Sequence, residues 1–354
     1  SDEGISLGRS SQALSDLLAT MPVEQLPGYF VLLHFWRSLA GSSDFAVRFL
    51  SVWPSVLAVA VLYRLGADLG DRRAALIGAL LLAANPLQLW YAQEARTYSW
   101  LMASALVATW SFWRLLDDRP ATTPSNGDLE ATKRSARRGA AWAIYVLSTS
   151  LTVYLQYYGF LAPLAHTLFF VGWWLRRRDR SSILWWGSAG LAVLLLFAPW
   201  AGRAVGIFGY SGWREPIDPW TIPWRFLTAY TSGNAAADRW RDPLTWLYLL
   251  LAGIGAAGWW RRRPVASLLL LSQTLIPWVA VFLLALRQPD THERYALFVA
   301  GPLLLLVAGG LSWLWALLVG QPTPGPRQPL WRLGLAIPVA VILMGLLAAG
   351  AVAI

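Results

Sequence analysis

The sequence predicts an all-α integral membrane protein, a multi-span helical bundle, and three observations carry that prediction. Of 354 residues, 56% are hydrophobic and only 14% charged, too few polar side chains to coat a water-soluble domain. About ten runs approach the roughly 20 apolar residues that a helix needs to cross the hydrocarbon core. The runs are continuous rather than alternating in period two, which argues against the strands of a membrane barrel.

The elements follow in order. The chain opens on Ser1-Asp2-Glu3-Gly4. Residues Ile5 to Leu18 mix Leu with Ser, Arg, Gln and Asp, and Tyr29 to Leu39 is apolar and aromatic but carries His34 and Arg37. Both are too polar to span and read as helices lying in the membrane interface. Residues 1–44 are therefore expected to form a first external loop, and 45–354 one multi-span domain. Apolar runs predict spans over Phe45 to Leu65, Ala74 to Trp90, Thr97 to Leu116, Ala140 to Gln156 and Gly159 to Leu175. They continue with Ser182 to Trp200, Pro243 to Trp260, Val265 to Leu286, Tyr295 to Val319 and Leu333 to Ile354. Between spans, 117–139 is polar, bears Pro, Ser and Thr, and reads as a flexible cytoplasmic loop. Residues 201–242 alternate Trp with Arg as an external loop whose Pro219 to Tyr230 portion reads as a short interfacial helix. Gln321 to Gln328 is a Pro-rich linker.

Charge orients the bundle. With the first span running inward, most of the 29 basic residues fall in short loops on one side, among them Arg72, Arg73, Arg176, Arg177, Arg262 and Arg263. The positive-inside rule makes that side cytoplasmic. The formal net charge of +10 is thus an orientation signal, and nucleic-acid binding is discarded. Zero cysteines exclude disulfides and thiolate chemistry. The three histidines form no spaced metal motif. No signal peptide precedes the acidic pair, and a span upstream of it is expected.

The external side collects the residues that could carry chemistry. Trp90-Tyr91-Ala92-Gln93-Glu94-Ala95-Arg96-Thr97-Tyr98 lies between two apolar runs, and ionisable groups at such a place must be satisfied by a partner or a substrate. Glu94 and Arg96 read either as an interfacial ion pair with Tyr91 and Tyr98 as belt residues, or as the lining of a site. Arg294-Tyr295 at a helix start reads as a phosphate clamp aided by the helix dipole, or as an interfacial anchor. Tyr157 and Tyr158 end another span as phosphate or sugar donors, or as belt aromatics. His34 and His166 read as structural. Asp2 and Glu3, side by side, mark either a solvated loop or a base with its orienting partner. An external site has no nucleotide sugar, and the chain has no G-x-x-x-x-G-K-[ST] loop. A sugar already on a lipid phosphate requires only a carboxylate base and arginine beside an apolar groove.

These residues resemble a known superfamily. Asp2-Glu3, Leu26-Pro27-Gly28-Tyr29, Leu33-His34-Phe35-Trp36, Arg48-Phe49-Leu50-Ser51 and above all Tyr91-Ala92-Gln93-Glu94-Ala95-Arg96-Thr97-Tyr98 resemble the protein mannosyltransferase and aminoarabinose transferase superfamily. Its members are GT-C-fold glycosyltransferases that use polyprenyl-phosphate sugars. Tyr154-Leu155-Gln156-Tyr157-Tyr158-Gly159, Pro199-Trp200 and Arg294-Tyr295-Ala296-Leu297-Phe298 with Pro302 extend the likeness. Two positions depart: the usual His-Pro-Pro reads Leu26-Pro27-Gly28, and Gln156 stands where a His is expected. The resemblance implies a GT-C bundle with interfacial helices in the first loop and an inverting glycosyltransferase of the cell inner membrane, active on the extracytoplasmic face. Asp2 would be the base and Glu3 its neighbour. Glu94, Arg96, Tyr91, Tyr98, Tyr157, Tyr158, Arg294 and Tyr295 would bind substrate, with Arg96 or Arg294 on the donor phosphate. A divalent metal is a possible cofactor. The partners expected are a polyprenyl-phosphate-linked sugar, an acceptor that is a lipid, glycan or protein, membrane lipids and other membrane proteins. The competing expectation is a catalytically silent subunit of a larger membrane assembly, motivated by the two departures and by 23 tryptophans.

Overall fold

The computed structural model of the chain describes residues 2–116, 127–210, 217–233, 238–287, 291–319 and 338–348, with the backbone alone for 2, 127–131, 134, 238 and 319. Every described element is helical. Three short helices come first, α1 (Asp2–Ser10), α2 (Leu14–Ala19) and α3 (Gly28–Ala40), where two were expected: the Ile5 to Leu18 stretch is broken between Ser10 and Leu14. Long helices follow: α4 (Asp44–Asp68), the pair α5 (Arg72–Ala83) and α6 (Pro86–Ala92), α7 (Tyr98–Leu116) and α8 (Gly127–Leu155). A 3-10 turn, Tyr157–Phe160, leads into α9 (Leu161–Arg177) and α10 (Arg180–Ala204). Then come α11 (Ile222–Thr231), α12 (Asp238–Arg262), α13 (Pro264–Ala285), a 3-10 segment Glu293–Val299, α14 (Ala300–Val319) and α15 (Pro338–Ala348).

Local chemistry sets the boundaries. Ser43, Asp71 and Asp179 each accept a backbone N–H of the helix they precede, from Ala46, Ala74 and Ser182 at 3.2, 2.9 and 2.8 Å, filling donors that have no partner within the helix. Five helices are long and apolar enough to cross a membrane unaided, and the α5–α6 pair adds a sixth when counted as one broken span. Ten straight spans were expected. Helices α7, α8 and α12 fall below that measure because Trp, Tyr, Ser and charged residues dilute them.

Three expectations are corrected. The span Ala74 to Trp90 is not straight: it bends by 56° between α5 and α6. Pro86 lacks the N–H that would continue α5. Asn85 restarts the helix by accepting the Gln88 amide at 3.0 Å. The second half of the loop 117–139 is helical from Gly127, its Leu, Glu, Ala, Lys and Arg being good helix formers. Residues 117–126, like the whole linker 321–328 and the ends of the last span, lie outside the described residues. Third, α14 starts at Ala300, and Arg294 and Tyr295 belong to the 3-10 segment kinked at Ala296. No α-helix dipole therefore begins at Arg294.

Packing places α7 against α4 and α8, and α14 against α5 and α12. Within Glu293–Leu318, 89% of the apolar window is buried, against 17% for Arg180–Gly209. The former is the core and α10 the lipid-facing flank. Lipid is as apolar as leucine, so helix association rests on close backbone approach rather than on escape from solvent. Gly255 on α12 and Gly310 on α14 permit it: a Cβ on Gly255 would strike the Leu306 carbonyl, and one on Gly310 the Leu251 carbonyl.

Candidate functional site

One end of the bundle gathers the external residues. The turn between α6 and α7 cannot leave its backbone polar groups unsatisfied beside a membrane, and side chains from two other elements and a carbonyl of a third meet it. Glu3 on α1 accepts the Ala95 amide at 3.0 Å. Ser51 on α4 donates to the Arg96 carbonyl at 3.3 Å, and Thr97 donates to Leu155 of α8 at 3.1 Å. The Glu3 carboxylate is also gripped by Arg48, whose Nε and Nη2 lie 3.1 and 2.9 Å from its two oxygens. That hydrogen bonding holds the Glu3 carboxyl below its ordinary range; partial burial opposes it and the Ala95 amide adds to it. Asp2 stands at the start of α1, and its side chain lies outside the described residues.

Two guanidiniums converge on one ring. Cζ of Arg96 lies 5.9 Å and Cζ of Arg294 5.5 Å from the centroid of Tyr98, which is 1% exposed. Tyr91 packs against Tyr98 with centroids 4.7 Å apart. Arg294 also covers Tyr295 at 5.7 Å, and Tyr295 faces Tyr158 at 5.5 Å. The Tyr158 hydroxyl pairs with Thr291 at 3.0 Å. Buried Glu293 lies 3.3 Å from Arg225 Nε as an ion pair and 3.2 Å from the His292 ring. Tyr230 bonds the Glu293 carbonyl at 3.0 Å, and Asn85 bonds the Tyr230 carbonyl at 2.9 Å. A hydrogen-bonded chain thus joins the α5–α6 bend to the Arg294 segment.

The remaining expected residues lie nearby with other contacts. Glu94 accepts the Trp90 indole N–H at 2.8 Å. Tyr157 donates to the Val23 carbonyl at 2.6 Å and so ties down the α2–α3 loop. His166 is buried in the bundle between Thr109 and Tyr145. At position 28 a Cβ would lie 2.6 Å from the Tyr154 carbonyl oxygen, so a proline has no room where the superfamily pattern carries one. Among the described residues no group of three or more His, Asp or Glu could hold a metal ion, and Glu3 is already bonded to Arg48, so no metal-dependent step is derived.

Sequence reasoning missed Arg48, Arg9 and Tyr29 as site residues. Arg48 is one turn into an apolar span, where an arginine reads as an orientation charge. Arg9 lies over Phe30 at 5.7 Å and senses both Glu24 and Arg96 electrostatically. Tyr29 is 2% exposed, its hydroxyl has no hydrogen-bond partner among the described residues, and burial pushes that hydroxyl up. Arg48 and Tyr29 stand in motifs that carry the family resemblance, which was the available signal for them; Arg9 stands in none.

The model of the family dolichyl-phosphate-mannose-protein mannosyltransferase matches residues 24–123. No curated protein matches. Among solved structures, ArnT from Cupriavidus metallidurans in the apo state superposes with TM-score 0.61 at 14% identity, over 98% of this chain and 69% of ArnT. The archaeal oligosaccharyltransferase AglB from Archaeoglobus fulgidus, in complex with an inhibitory peptide and a dolichol-phosphate, gives 0.63 at 16% identity, over 93% of this chain and 47% of AglB. ArnT bound to undecaprenyl phosphate gives 0.50 at 14% identity, over 94% and 64%. The chain thus spans about two thirds of ArnT and about half of AglB. This shared architecture shows a multi-pass membrane protein with the GT-C fold, and its residues 24–123 are similar to the mannosyltransferase family.

Proposed function

We propose that the protein is a membrane glycosyltransferase that moves a sugar from a polyprenyl-phosphate donor to an acceptor on the extracytoplasmic face of the inner membrane. The observation that carries this reading is the convergence of Arg96 and Arg294 over Tyr98, at the end of the bundle where α1 docks. Two guanidiniums beside one ring can both donate to phosphate oxygens and neutralise the phosphate as it departs. Polyprenyl phosphates bound to solved structures of the same fold support the donor class.

In the proposed reaction the acceptor hydroxyl or amine attacks the anomeric carbon opposite the phosphate. Its proton passes to Asp2, the bond from the anomeric carbon to the phosphate oxygen breaks, and the electron pair leaves on the polyprenyl phosphate. A single displacement inverts the anomeric centre. The contacts of Glu3 support an orienting role. Gripped by Arg48 and lowered in proton affinity, it is a poor base, and it holds α1 so that its neighbour Asp2 is presented. Transfer from a labelled polyprenyl-phosphate sugar by reconstituted protein is the test. Asp2→Asn is expected to lose about 10²–10⁴-fold; turnover like wild type in both Asp2→Asn and Arg96→Ala overturns the reading.

A further inference from the structure

We propose that the protein holds a second anion site, at the opposite end of the bundle, that binds the phosphate of an anionic phospholipid. From Arg48 to Leu69, α4 rises roughly 30 Å at helical pitch, away from the candidate site. There the α4–α5 turn, the α12–α13 turn and the last turns of α14 enclose a cavity of about 330 Å³. Arg72, Arg73, Arg262 and Arg263 line it, and Asp71 is the one carboxylate among its lining residues. That carboxylate is already engaged: Ser312 donates to its two oxygens at 3.1 and 2.9 Å, and Ala74 donates at 2.9 Å. Among the described residues none of the four arginines forms an ion pair.

Orientation in the membrane asks only for positive charge near a span end. It does not ask for a concavity with a polar floor. Trp259, on the cavity wall and 7% exposed, has an indole N–H with no hydrogen-bond partner, directed at Gly309 on the same wall. The arginine rim is built rather than loose: the Arg263 guanidinium lies directly against Gly70, whose φ of +99° and lack of a side chain make room for it. Four guanidiniums around one cavity suit a phosphate, which accepts at several oxygens.

The helix surface beside the rim identifies the source of that phosphate. Arg72, Leu76 and Leu80 follow one another at four-residue spacing on one face of α5, and Leu76 and Leu80 are 54% and 42% exposed. An acyl chain can run along these leucines while its headgroup rests among the arginines. Basic pockets between spanning helices hold anionic headgroups in this manner. A soluble phosphate would have no use for the apolar strip.

The test uses the full chain in nanodiscs of phosphatidylcholine, with and without phosphatidylglycerol or cardiolipin, reading retained lipid by native mass spectrometry after transfer to detergent. Wild type is expected to retain the anionic lipids selectively. Arg72→Ala with Arg262→Ala, both exposed positions, is expected to weaken that retention by about tenfold or more, with an unchanged melting temperature in phosphatidylcholine. The pair Arg176→Ala with Arg177→Ala removes the same charge outside the cavity and is expected to retain lipid as wild type does. Equal losses in the two pairs, or no preference of wild type for anionic over zwitterionic lipid, overturns the proposal. Millimolar inorganic phosphate that stabilises wild type but not the Arg72/Arg262 variant, with no lipid retained, keeps the phosphate pocket and overturns the lipid as its occupant.

Discussion

Arg48 and Glu3, forty-five positions apart, form a two-pronged pair at 3.1 and 2.9 Å that fastens α1 to α4, and the same carboxylate caps the Ala95 amide. The pair is half in solvent, with side-chain exposures of 52% and 24%, and exposed pairs add little to global stability. Its value lies in position. Arg48→Ala and Glu3→Gln are each expected to lower transfer about 10²-fold, the effect of a catalytic group displaced by an ångström, while the melting temperature stays close to wild type. A melting loss without an activity loss would reverse that assignment.

The same carboxylate gives α1 a pH response. Hydrogen bonding from Arg48, then from Ala95, depresses the Glu3 carboxyl in the folded chain, so its contribution to docking is complete above the unfolded value of about 4.3. It is lost as pH falls through the lower, folded value. Hydrogen exchange of the α1 amides, corrected for intrinsic rates, is expected to stay flat above about pH 4.3 and to quicken as pH falls below it. In Glu3→Gln that pH dependence is expected to vanish; an identical response in the variant rejects Glu3 as its origin.

On the proposed reading, Arg96 and Arg294 act on one charge. Arg96→Ala and Arg294→Ala are each expected to cost about 10²–10³-fold in kcat/KM, and the double variant to lose less than the product of the two. Lysine at either position is expected to rescue only partly, because a point charge does not match two phosphate oxygens as a planar fork does. Independent, multiplying losses would mean that the two side chains serve different groups.

Asn85 is 2% exposed and holds two bonds, one closing the α6 cap and one reaching Tyr230. Asn85→Ala leaves both partners unsatisfied and is expected to destabilise by about 1–3 kcal/mol, read as an earlier melting transition in detergent.

Where α12 crosses α14, backbone meets backbone at Gly255. Gly255→Val forces the helices apart and is expected to lower the melting temperature more than Gly253→Val, since a Cβ on Gly253 meets nothing within 4 Å.

The fold class was legible because apolar runs in a bilayer leave few alternatives to helices. The interfacial helices of the first loop and the Pro219 to Tyr230 segment were legible from mixed polarity. The 56° bend was not, although Asn85-Pro86 spelled it out: in a run rich in Leu and Ala, hydropathy outvoted the helix-restarting chemistry of a cap followed by proline. The 3-10 segment ahead of α14 was hidden in the same way, since Ala296 through Val299 are as apolar as the helix they precede. At the candidate site the external polar residues were readable one by one. Their mutual arrangement was not, because Arg48, forty-five residues from Glu3, and Arg9 reach the turn only through tertiary packing.

The elbow at Asn85 has a mechanical outcome. Through Tyr230 it braces the Arg294 segment, and through α6 it carries the turn that bears Arg96, so both cationic walls hang from a single bracket. Parting them stretches the Asn85–Tyr230 and Tyr230–Glu293 bonds. On the proposed reading, the yielding that a lipid donor requires falls to the first forty residues, which are latched from outside at Glu3, at Val23 and, by Arg203, at the Leu18 and Ala19 carbonyls.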